Sequence, residues 1–485
     1  MGSLGTSLPT VPLLINGVEE TTASTFDVIS PLTGTPCWTS SSASPADAIR
    51  AVEAAQAAFP AWSQTKPSAR RDIFLKAADL LESRTENNAA YMQTEMGAET
   101  GVPQIIITLA IRMLRDIAGR ISTICGSVPV VEAEGQNAMV LKEPMGVILG
   151  IAPWNAPYVF AIRAAATALA TGNTTILKSS ELSPRCYWAV GQAFTDAGLP
   201  AGCLNIIHTR REDAPAVVNA MIEHPAVRKV NFTGSTAVGR KVAAACGQNL
   251  KPCVMELGGK NSSIVCADAN LDRAVQQVLA GAFMNSGQIC MCTDRILVHS
   301  SIATKFTNAL KSALEAKSKG TPEWPTIVNT AAKERAESQV SDAVAAGAEV
   351  IYSTPKAEGS SDASASGIRV PQVVLGNVGD HMEVWQEESF APVATVRVFQ
   401  DEEEAVRLAN DGGYGLTASI FTEDLRKAFA LARKIQSGAV HINGMTIQDD
   451  PALPHGGVKN SGWGRFNTDQ GLNEYLVTKS VTWMD

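Results

Sequence analysis

The chain has 485 residues, of which 45 % are hydrophobic and 18 % charged, and its formal net charge is −8. This composition is globular and excludes a fibrous or disordered chain, and the length predicts about two or three domains. The negative charge offers no basic surface for nucleic acid or for an anionic membrane, so we expect neither as a partner and favour a small molecule.

The cysteines and the apolar stretches bear on the compartment. Nine cysteines, an odd number, are scattered singly, unlike the dense framework of small secreted domains. The N-terminal residues MGSLGTSLPTVPLLING lack a charged segment followed by a long apolar run, so we expect no signal peptide. The most apolar stretch, 146–170, is interrupted by two prolines, Asn155 and Arg163, which a spanning helix would not readily tolerate. We therefore expect a soluble, cytoplasmic protein.

Helical patterns come first along the chain. Residues 44–82 predict two amphipathic helices, each opened by serine and proline, and a third helix is predicted over 103–117. In residues 127–154, alternating apolar residues and a Gly-Gln-Asn turn predict a hairpin that runs on into a buried strand.

Short apolar strands then alternate with helices. The pairs NTTILKSS and SPRCYWAVGQAFTDAG, CLNIIHT and DAPAVVNAMIEH, and VRKVNFTGS and TAVGRKVAAACG predict a parallel, doubly wound sheet. A second alternating run, which begins after PCVMELGGKNSSIVCADA and continues to about GAVHING, predicts a second α/β domain. The polar stretch 353–367 predicts an exposed loop.

Two strand ends carry residues suited to a nucleotide. VNFTGSTAVGR places Gly234 and Gly239 where a strand meets a helix, and a helix N-terminus there can receive a phosphate. The spacing is not G-x-G-x-x-G, and a tight turn explains it as well. Lys178 and Glu181 follow another buried strand, at the edge where open α/β sheets bind cofactors. A glutamate there favours NAD over NADP, although both residues could instead be solvated.

Two cysteines, Cys290 and Cys292, lie close together in GAFMNSGQICMC. No histidine or further cysteine stands at zinc-ligand spacing, so we expect no metal site, and a Cys-x-Cys disulfide would be strained. Buried packing is the usual fate of a cysteine. However, Cys290 follows a predicted helix, 268–284, and a Gly-Gln turn, which predicts an exposed position where a thiolate could be a nucleophile. Cys292 is either packing or a thiol that caps Cys290 reversibly under oxidation.

A nucleophile needs a base and a donor for the oxyanion. Glu256 in MELGGK is a candidate base, and Asn155, fixed between prolines in APWNAP, is a candidate oxyanion donor. A surface charge and a turn residue are the respective alternatives.

Together these segments resemble the NAD(P)-dependent aldehyde dehydrogenase superfamily over nearly the whole chain. The matching segments, in order, are PWNAP, LKSSELSP, FTGSTAVG, MELGGK, FMNSGQIC, EESFAPV and HGGVKNSGWGR. The resemblance implies an α/β fold with a Rossmann-type NAD-binding domain, an α/β catalytic domain and a small β oligomerisation element, assembled as a homodimer or homotetramer. The implied limits are 1–123 and 146–257 for the first domain, 258–447 for the second, and 124–145 with 466–485 for the third, while 448–465 returns toward the NAD-binding domain and the substrate tunnel.

The same resemblance implies the residue roles. Cys290 is the nucleophile and Glu256 the general base, while Asn155 and the backbone N–H of Cys290 hold the oxyanion. The thiolate attacks an aldehyde, hydride passes to the nicotinamide, and Glu256 activates the water that hydrolyses the thioester. The implied cofactor residues are Trp154, Lys178, Glu181, Gly234, Ser235, Gly239, Leu257, Glu388 and Phe390.

Substrate choice is expected on the helix after Asn155. Ala156, Phe160 and Arg163 fall four and three residues apart, on one helix face, and the resemblance adds Leu109 and His455 to the pocket. Arg163 can donate to a phenolate, hydroxyl or carboxylate, or can pair with a nearby acid. This arginine, together with the segments PHGG and GRF, makes the chain resemble the salicylaldehyde and vanillin type of dehydrogenase. This implies a hydroxylated aromatic aldehyde, with an anionic aliphatic semialdehyde such as succinate semialdehyde as the alternative.

Two other enzyme classes share parts of this pattern. A CoA-acylating aldehyde dehydrogenase should lack the water-activating carboxylate, which Glu256 argues against. A cysteine–histidine hydrolase would need a histidine beside Cys290, and it would leave the nucleotide segments unexplained.

Overall fold

The computed structural model describes residues 8–319, 324–355 and 367–484, so most of the loop predicted at 353–367 lies outside the described residues. Within them the chain forms two large, mostly parallel sheets covered by helices, together with two small sheets. The predicted α/β class is therefore confirmed. No described helix combines the length and apolar character that crossing a bilayer requires.

The first large sheet has eight strands, five of them parallel. Three of its parallel strands, Val147–Ile151, Thr174–Lys178 and Leu204–Ile207, are buried along their whole length, because helices cover both faces. In spatial order the strands are Gly462–Trp463, Cys253–Glu256, Val227–Thr233, Val147–Ile151, Thr174–Lys178, Leu204–Ile207, Leu13–Ile15 and Val18–Glu20.

The helices of this half include all six that the sequence predicts. Ser44 caps the first through a capping box with Asp47. One helix, Thr85–Met96, was not predicted, because its apolar residues are few and weakly periodic. The larger helices are Pro45–Ser63, Pro67–Ser83, Thr85–Met96, Val102–Arg120, Pro184–Ala197, Ala214–Glu223 and Thr236–Gln248.

The second large sheet has seven strands, all parallel except the first at its edge. In spatial order they are Glu349–Ser353, Val373–Gly376, Val393–Phe399, Thr293–His299, Asn261–Val265, Thr417–Phe421 and Ala439–Ile442. The helices around it are Leu271–Phe283, Ala303–Lys317, Thr330–Ala345, Glu383–Gln386, Glu402–Asn410 and Leu425–Ala432. The domain limits given above stay a prediction.

The two small sheets lie outside these layers. The predicted hairpin is wrong: strand Gln136–Pro144 pairs with Leu476–Met484 near the C-terminus, and only an isolated bridge joins Ser127 to Val140. Val128 and Val130 are almost fully exposed, so the first arm of the hairpin has no face to bury. The other small sheet comprises Thr10–Val11, Pro36–Ser41 and Thr25–Ile29.

Candidate active site

A cleft of about 230 Å³ forms where the carboxyl ends of strands from the first sheet face loops of the second. This is the edge at which open α/β sheets place their ligands. Ten of the residues predicted for the site line it: Trp154, Asn155, Phe160, Gly234, Ser235, Glu256, Leu257, Cys290, Glu388 and Phe390. The side chains in this cleft come from positions up to more than two hundred residues apart in the sequence, and the fold brings them together.

The loop that carries Cys290 begins with an unusual backbone. After helix Leu271–Phe283, residues Asn285, Ser286 and Gly287 have φ values of 51°, 59° and 72°, all in the left-handed region. Asparagine tolerates that region and glycine favours it, but a serine there is uncommon. The surrounding structure must therefore hold this turn in place.

Hydrogen bonds fix the loop on both sides of the cysteine. The Gln288 side chain accepts from the backbone N–H of Val328 at 2.9 Å. Asn261 Nδ2 donates to the carbonyls of Cys290 and Cys292, at 2.8 Å each. The position of Cys290 is half-buried rather than exposed as the sequence predicted, because the loop packs against strand Asn261–Val265.

Cys290 and Glu256 are in contact. The thiol Sγ donates to Glu256 Oε1 at 3.2 Å, and Glu256, at the end of strand Cys253–Glu256, is fully buried. The alternative of a surface charge for Glu256 is therefore excluded. In the part of the chain that the structure describes, this carboxylate is the hydrogen-bond partner of Sγ, which disfavours a cysteine–histidine hydrolase.

The electrostatics of this pair favour a proton on sulfur and a charge on carboxylate. Burial acts to raise the pKa of Glu256, but His455 and the Arg163 guanidinium outweigh it and leave that pKa below its usual value. Burial, and then the charge of Glu256, raise the pKa of the Cys290 thiol well above its usual value. An ionised carboxylate against a thiol is arranged to accept the proton of that thiol.

Asn155 lies beside the same loop. It is 2 % exposed, and its Nδ2 donates to the carbonyl of Gln288 at 3.0 Å. The amide group is thus held close to the nucleophile. Its role as an oxyanion donor stays a prediction.

The helix N-terminus beside the cleft fits a phosphate group. Ser235 caps helix Thr236–Gln248, and Gly234 lies in the cleft wall. Helix N-termini present unpaired N–H groups and a positive dipole end. Gly239 does not line the cleft; a Cβ there would lie 2.5 Å from Leu257 Cδ2, so this glycine lets the helix pack on the strand end. Its contact with a cofactor stays a prediction.

The opposite wall fits the nicotinamide half of a dinucleotide. Glu388 Oε1 accepts from the N–H of Gly259 at 3.1 Å, and a Cβ on Gly258 would lie 2.5 Å from Glu388 Oε2. Burial raises the pKa of Glu388 to about 7. The rings of Trp154 and Phe390 meet edge to face at 5.8 Å. A carboxylate and apolar rings in one wall suit a ribose and a planar ring.

The two residues predicted for the adenosine ribose are not part of that cleft wall. Lys178 ends strand Thr174–Lys178 and is buried, and burial lowers its pKa. Glu181 is half-buried and follows in the next turn. Their contact with a cofactor stays a prediction.

The predicted substrate helix is not regular. Ala156 caps a short helix, Pro157–Ala161, which continues as a π-helical turn over Ile162–Ala166. Such turns are rare and often mark functional sites. Arg163 lies within this π-helical turn, and its guanidinium carbon lies 5.7 Å from the Phe160 ring centre.

The remaining substrate candidates take separate places. Arg163 is 3 % exposed, and its Nη2 donates to Asp449 Oδ2 at 2.5 Å, so the pairing alternative for this arginine is the arrangement observed. His455 Nε2 lies 3.7 Å from Glu256 Oε1. Leu109, on helix Val102–Arg120, packs against the hydrophobic core of the first domain. The substrate contacts of all three stay predictions.

The sequence reasoning missed Asp449. It lies in a loop between Ile442 and the edge strand at Gly462, where no motif draws attention to it. The available signal is Arg163 itself, because a buried arginine requires an acid.

Cys292 is buried, and burial raises its pKa well above the usual value. Both features favour packing over a reactive thiol.

Comparisons with known proteins agree with this geometry. The profile of the aldehyde dehydrogenase family matches residues 18–481. A vanillin dehydrogenase of Pseudomonas sp. (strain HR199 / DSM 7063) is 43 % identical over 479 residues, which are 97 % of this chain and 97 % of that one.

Solved structures are also similar. The crystal structure of a salicylaldehyde dehydrogenase from Pseudomonas putida G7, complexed with salicylaldehyde, has a TM-score of 0.93 and 34 % identity, covering 98 % of both chains. The betaine aldehyde dehydrogenase of Staphylococcus aureus in complex with NAD+ has a TM-score of 0.92 and 31 % identity, covering 97 % of this chain and 94 % of that one. These findings confirm the predicted fold and support a nicotinamide cofactor. The chain belongs to the aldehyde dehydrogenase family.

Proposed function

We propose that this enzyme oxidises a hydroxylated aromatic aldehyde, such as salicylaldehyde or vanillin, to the carboxylic acid with NAD, through a thiohemiacetal and a thioester on Cys290. The observation that carries the proposal is the 3.2 Å contact between Cys290 Sγ and Glu256 Oε1 in the cleft. The names of the vanillin and salicylaldehyde dehydrogenases support the substrate class. An anionic aliphatic semialdehyde, such as succinate semialdehyde, is the alternative.

In the first half-reaction Glu256 accepts the Cys290 proton while Sγ forms a bond to the aldehyde carbon. Asn155 Nδ2 and the Cys290 backbone N–H stabilise the charge on the former carbonyl oxygen. Bound in the cleft, oxidised nicotinamide supplies the hydride acceptor. As the hydride leaves carbon, the C=O bond re-forms, and Cys290 then carries a thioester.

In the second half-reaction Glu256, once it has released the first proton, accepts a proton from water. The water oxygen bonds to the thioester carbon, the C–S bond breaks, and the cysteine leaves as a thiolate. The acid product passes its proton to the thiolate, which restores the Cys290 thiol, and Glu256 releases its second proton to solvent, so the product leaves as a carboxylate. This route divides one difficult oxidation into two easier steps.

The cleft wall suits an aromatic substrate. Phe160 and Trp154 both line it, and aromatic rings pack well on one another. Ala156 leaves room beside Phe160. The proposal also includes a hydrogen bond from Arg163 to the substrate hydroxyl or phenolate through a guanidinium nitrogen other than Nη2, which Asp449 holds.

We also propose a preferred cofactor and an assembly of subunits. A glutamate at position 181 favours NAD over NADP, because it would repel a 2′-phosphate. We also propose a cytoplasmic homodimer or homotetramer, in which strand Leu476–Met484 contacts another subunit.

The test is a substrate panel. We expect kcat/KM with NAD to be higher for salicylaldehyde and vanillin than for benzaldehyde, and lowest for succinate semialdehyde. Cys290→Ser should lower it by more than about a thousandfold, whereas the neighbouring Cys292→Ser should leave it nearly unchanged. A higher kcat/KM for succinate semialdehyde than for the aromatic aldehydes would support the alternative substrate. If no aldehyde gave reduced nicotinamide, the proposed oxidation would be wrong.

A further inference from the structure

A cluster of buried ionisable side chains includes Glu256 and extends behind it. It comprises Glu256, Arg163, Asp449 and His455, whose side chains are all less than a tenth exposed. Arg163 Nη2 lies 2.5 Å from Asp449 Oδ2, whereas its Nη1 lies 3.9 Å from Glu256 Oε2. The arginine therefore bonds to Asp449 and acts on Glu256 only through its charge.

The guanidinium is held in that place from several sides. Its carbon lies 5.7 Å from the Phe160 ring centre and 5.2 Å from that of Phe466. Asp449 is itself fixed, since its Oδ1 accepts from Asn467 Nδ2 at 3.0 Å. An arginine clamped in this way cannot turn freely toward Glu256.

The distance between Arg163 and Glu256 affects how well Glu256 can act as a base. A direct, bidentate bond to arginine would occupy the carboxylate oxygens and make Glu256 a poorer proton acceptor. With no cation nearby, the fully buried Glu256 would take up a proton, because burial disfavours its charge. Together with His455, a cation held at 3.9 Å favours the ionised carboxylate and leaves Oε1 on the Cys290 thiol.

We propose that Asp449 and Arg163 form a positioning pair for Glu256: Asp449 takes the hydrogen bond of the guanidinium and thereby holds this cation beside Glu256 without a direct bond to it. The inference rests on the proposed function, because it assigns Glu256 the role of base. It gives Arg163 a role in both half-reactions whatever aldehyde is bound.

Other titratable groups face this cluster and enter the pH dependence. Arg163, His455 and the Cys290 thiol face Glu256. Tyr475 also faces Arg163, and His441 lies near His455. The variants below leave all of these groups in place except the one that is changed.

The two members of the pair should shift the pH profile in opposite directions. Arg163→Gln removes the cation, so the pKa of Glu256 and of Cys290 should rise by about one unit. Asp449→Asn removes an anion and leaves the cation, so both pKa values should fall. Arg163→Lys keeps the charge and should keep the profile within a few tenths of a unit.

The measurement is the rate of iodoacetamide alkylation of Cys290 against pH, followed on the peptide that contains Cys290 in the full-length protein. Cys290→Ser is the blank. Lys229→Gln, which removes one partner of a different buried ion pair with Glu474, is the control for lost stability and should not move the midpoint. Thermal unfolding of each variant shows that it is folded.

Opposite shifts for Arg163→Gln and Asp449→Asn would support the positioning pair. Midpoints that coincide with wild type, or that move in the same direction, would overturn it. The assay needs neither aldehyde nor nucleotide, so its result is separate from the substrate panel: a failed panel with opposite shifts defeats only the proposed function, and a successful panel without shifts defeats only this inference.

Discussion

At the scale of single residues, the turn before the nucleophile is the most constrained part of the site. Gly287 has φ +72°, and a Cβ there would lie 2.1 Å from the carbonyl oxygen of Ala391. Only glycine fits at position 287, and Cys290 follows three residues later. The position of the thiol therefore depends on a backbone contact between the cleft loops.

We predict that Gly287→Ala lowers kcat on the order of a hundredfold, since displacing a nucleophile by about an ångström has effects of this size. It should also lower the free energy of unfolding by roughly 1–3 kcal/mol. Steady-state kinetics and urea unfolding measure the two effects.

Gly347→Ala is the matched control, because Gly347 has φ +100° but a Cβ added there would meet no atom within 4 Å. We expect it to cost about 1 kcal/mol of stability and leave kcat unchanged. If the two variants had equal activity, the contact with Ala391 would not position Cys290.

Single residues also show where sequence reasoning succeeds. Cys290, Glu256 and Asn155 each occur in a distinctive local segment, and the structure brings all three into one cleft. Asp449 occurs in no such segment, and only the folded chain places it 2.5 Å from Arg163. Local patterns identify residues that act on the substrate more readily than residues that act through a neighbour.

At the scale of elements, a buried carboxylate connects two helices of the first domain. Glu95, near the end of helix Thr85–Met96, accepts from the N–H groups of Arg185 and Cys186 at 2.8 and 3.1 Å, in the first turn of helix Pro184–Ala197. It also accepts from Trp38 Nε1 at 2.9 Å. This carboxylate acts as the N-terminal cap that the second helix lacks in its own sequence.

We predict that Glu95→Ala lowers the free energy of unfolding by about 2–4 kcal/mol, because one buried and two part-buried donors lose their acceptor. Glu86→Ala, at an exposed position of the same helix, should change it by less than about 0.5 kcal/mol. Urea unfolding distinguishes the two. Equal stability of the variants would show that the three hydrogen bonds do not stabilise the fold.

The elements that were predicted correctly are those with a local signal. Helices Pro45–Ser63 and Pro67–Ser83 have apolar periodicity and N-terminal prolines, and the structure has both. The hairpin failed because strand Gln136–Pro144 pairs with a strand more than three hundred residues later. The π-helical turn at Ile162–Ala166 also has no signature in its apolar sequence.

At the scale of the whole molecule, strand Leu476–Met484 is exposed almost along its length. Val477, Lys479, Val481 and Trp483 share one face, because side chains alternate along a strand. Three of these four are large and apolar, and each is more than a third exposed. An apolar strand of this kind is suited to a subunit interface.

We predict that Val481→Asp, on that face, dissociates the oligomer, whereas Thr478→Asp, on the opposite face of the same strand, does not. Light scattering coupled to size-exclusion chromatography gives the mass of each. A monomeric wild type, or equal masses for the two variants, would contradict the proposed interface.

The proposed oxidation depends on a covalent thioester at Cys290. The most direct measurement is rapid acid quenching of the wild-type enzyme during its first turnover with NAD and a hydroxylated aromatic aldehyde, followed by mass spectrometry of the peptides, with Cys290→Ser as the blank. We predict an acyl group on the peptide that contains Cys290, formed together with reduced nicotinamide. Reduced nicotinamide formed in the first turnover without an acyl group on Cys290 would contradict the account.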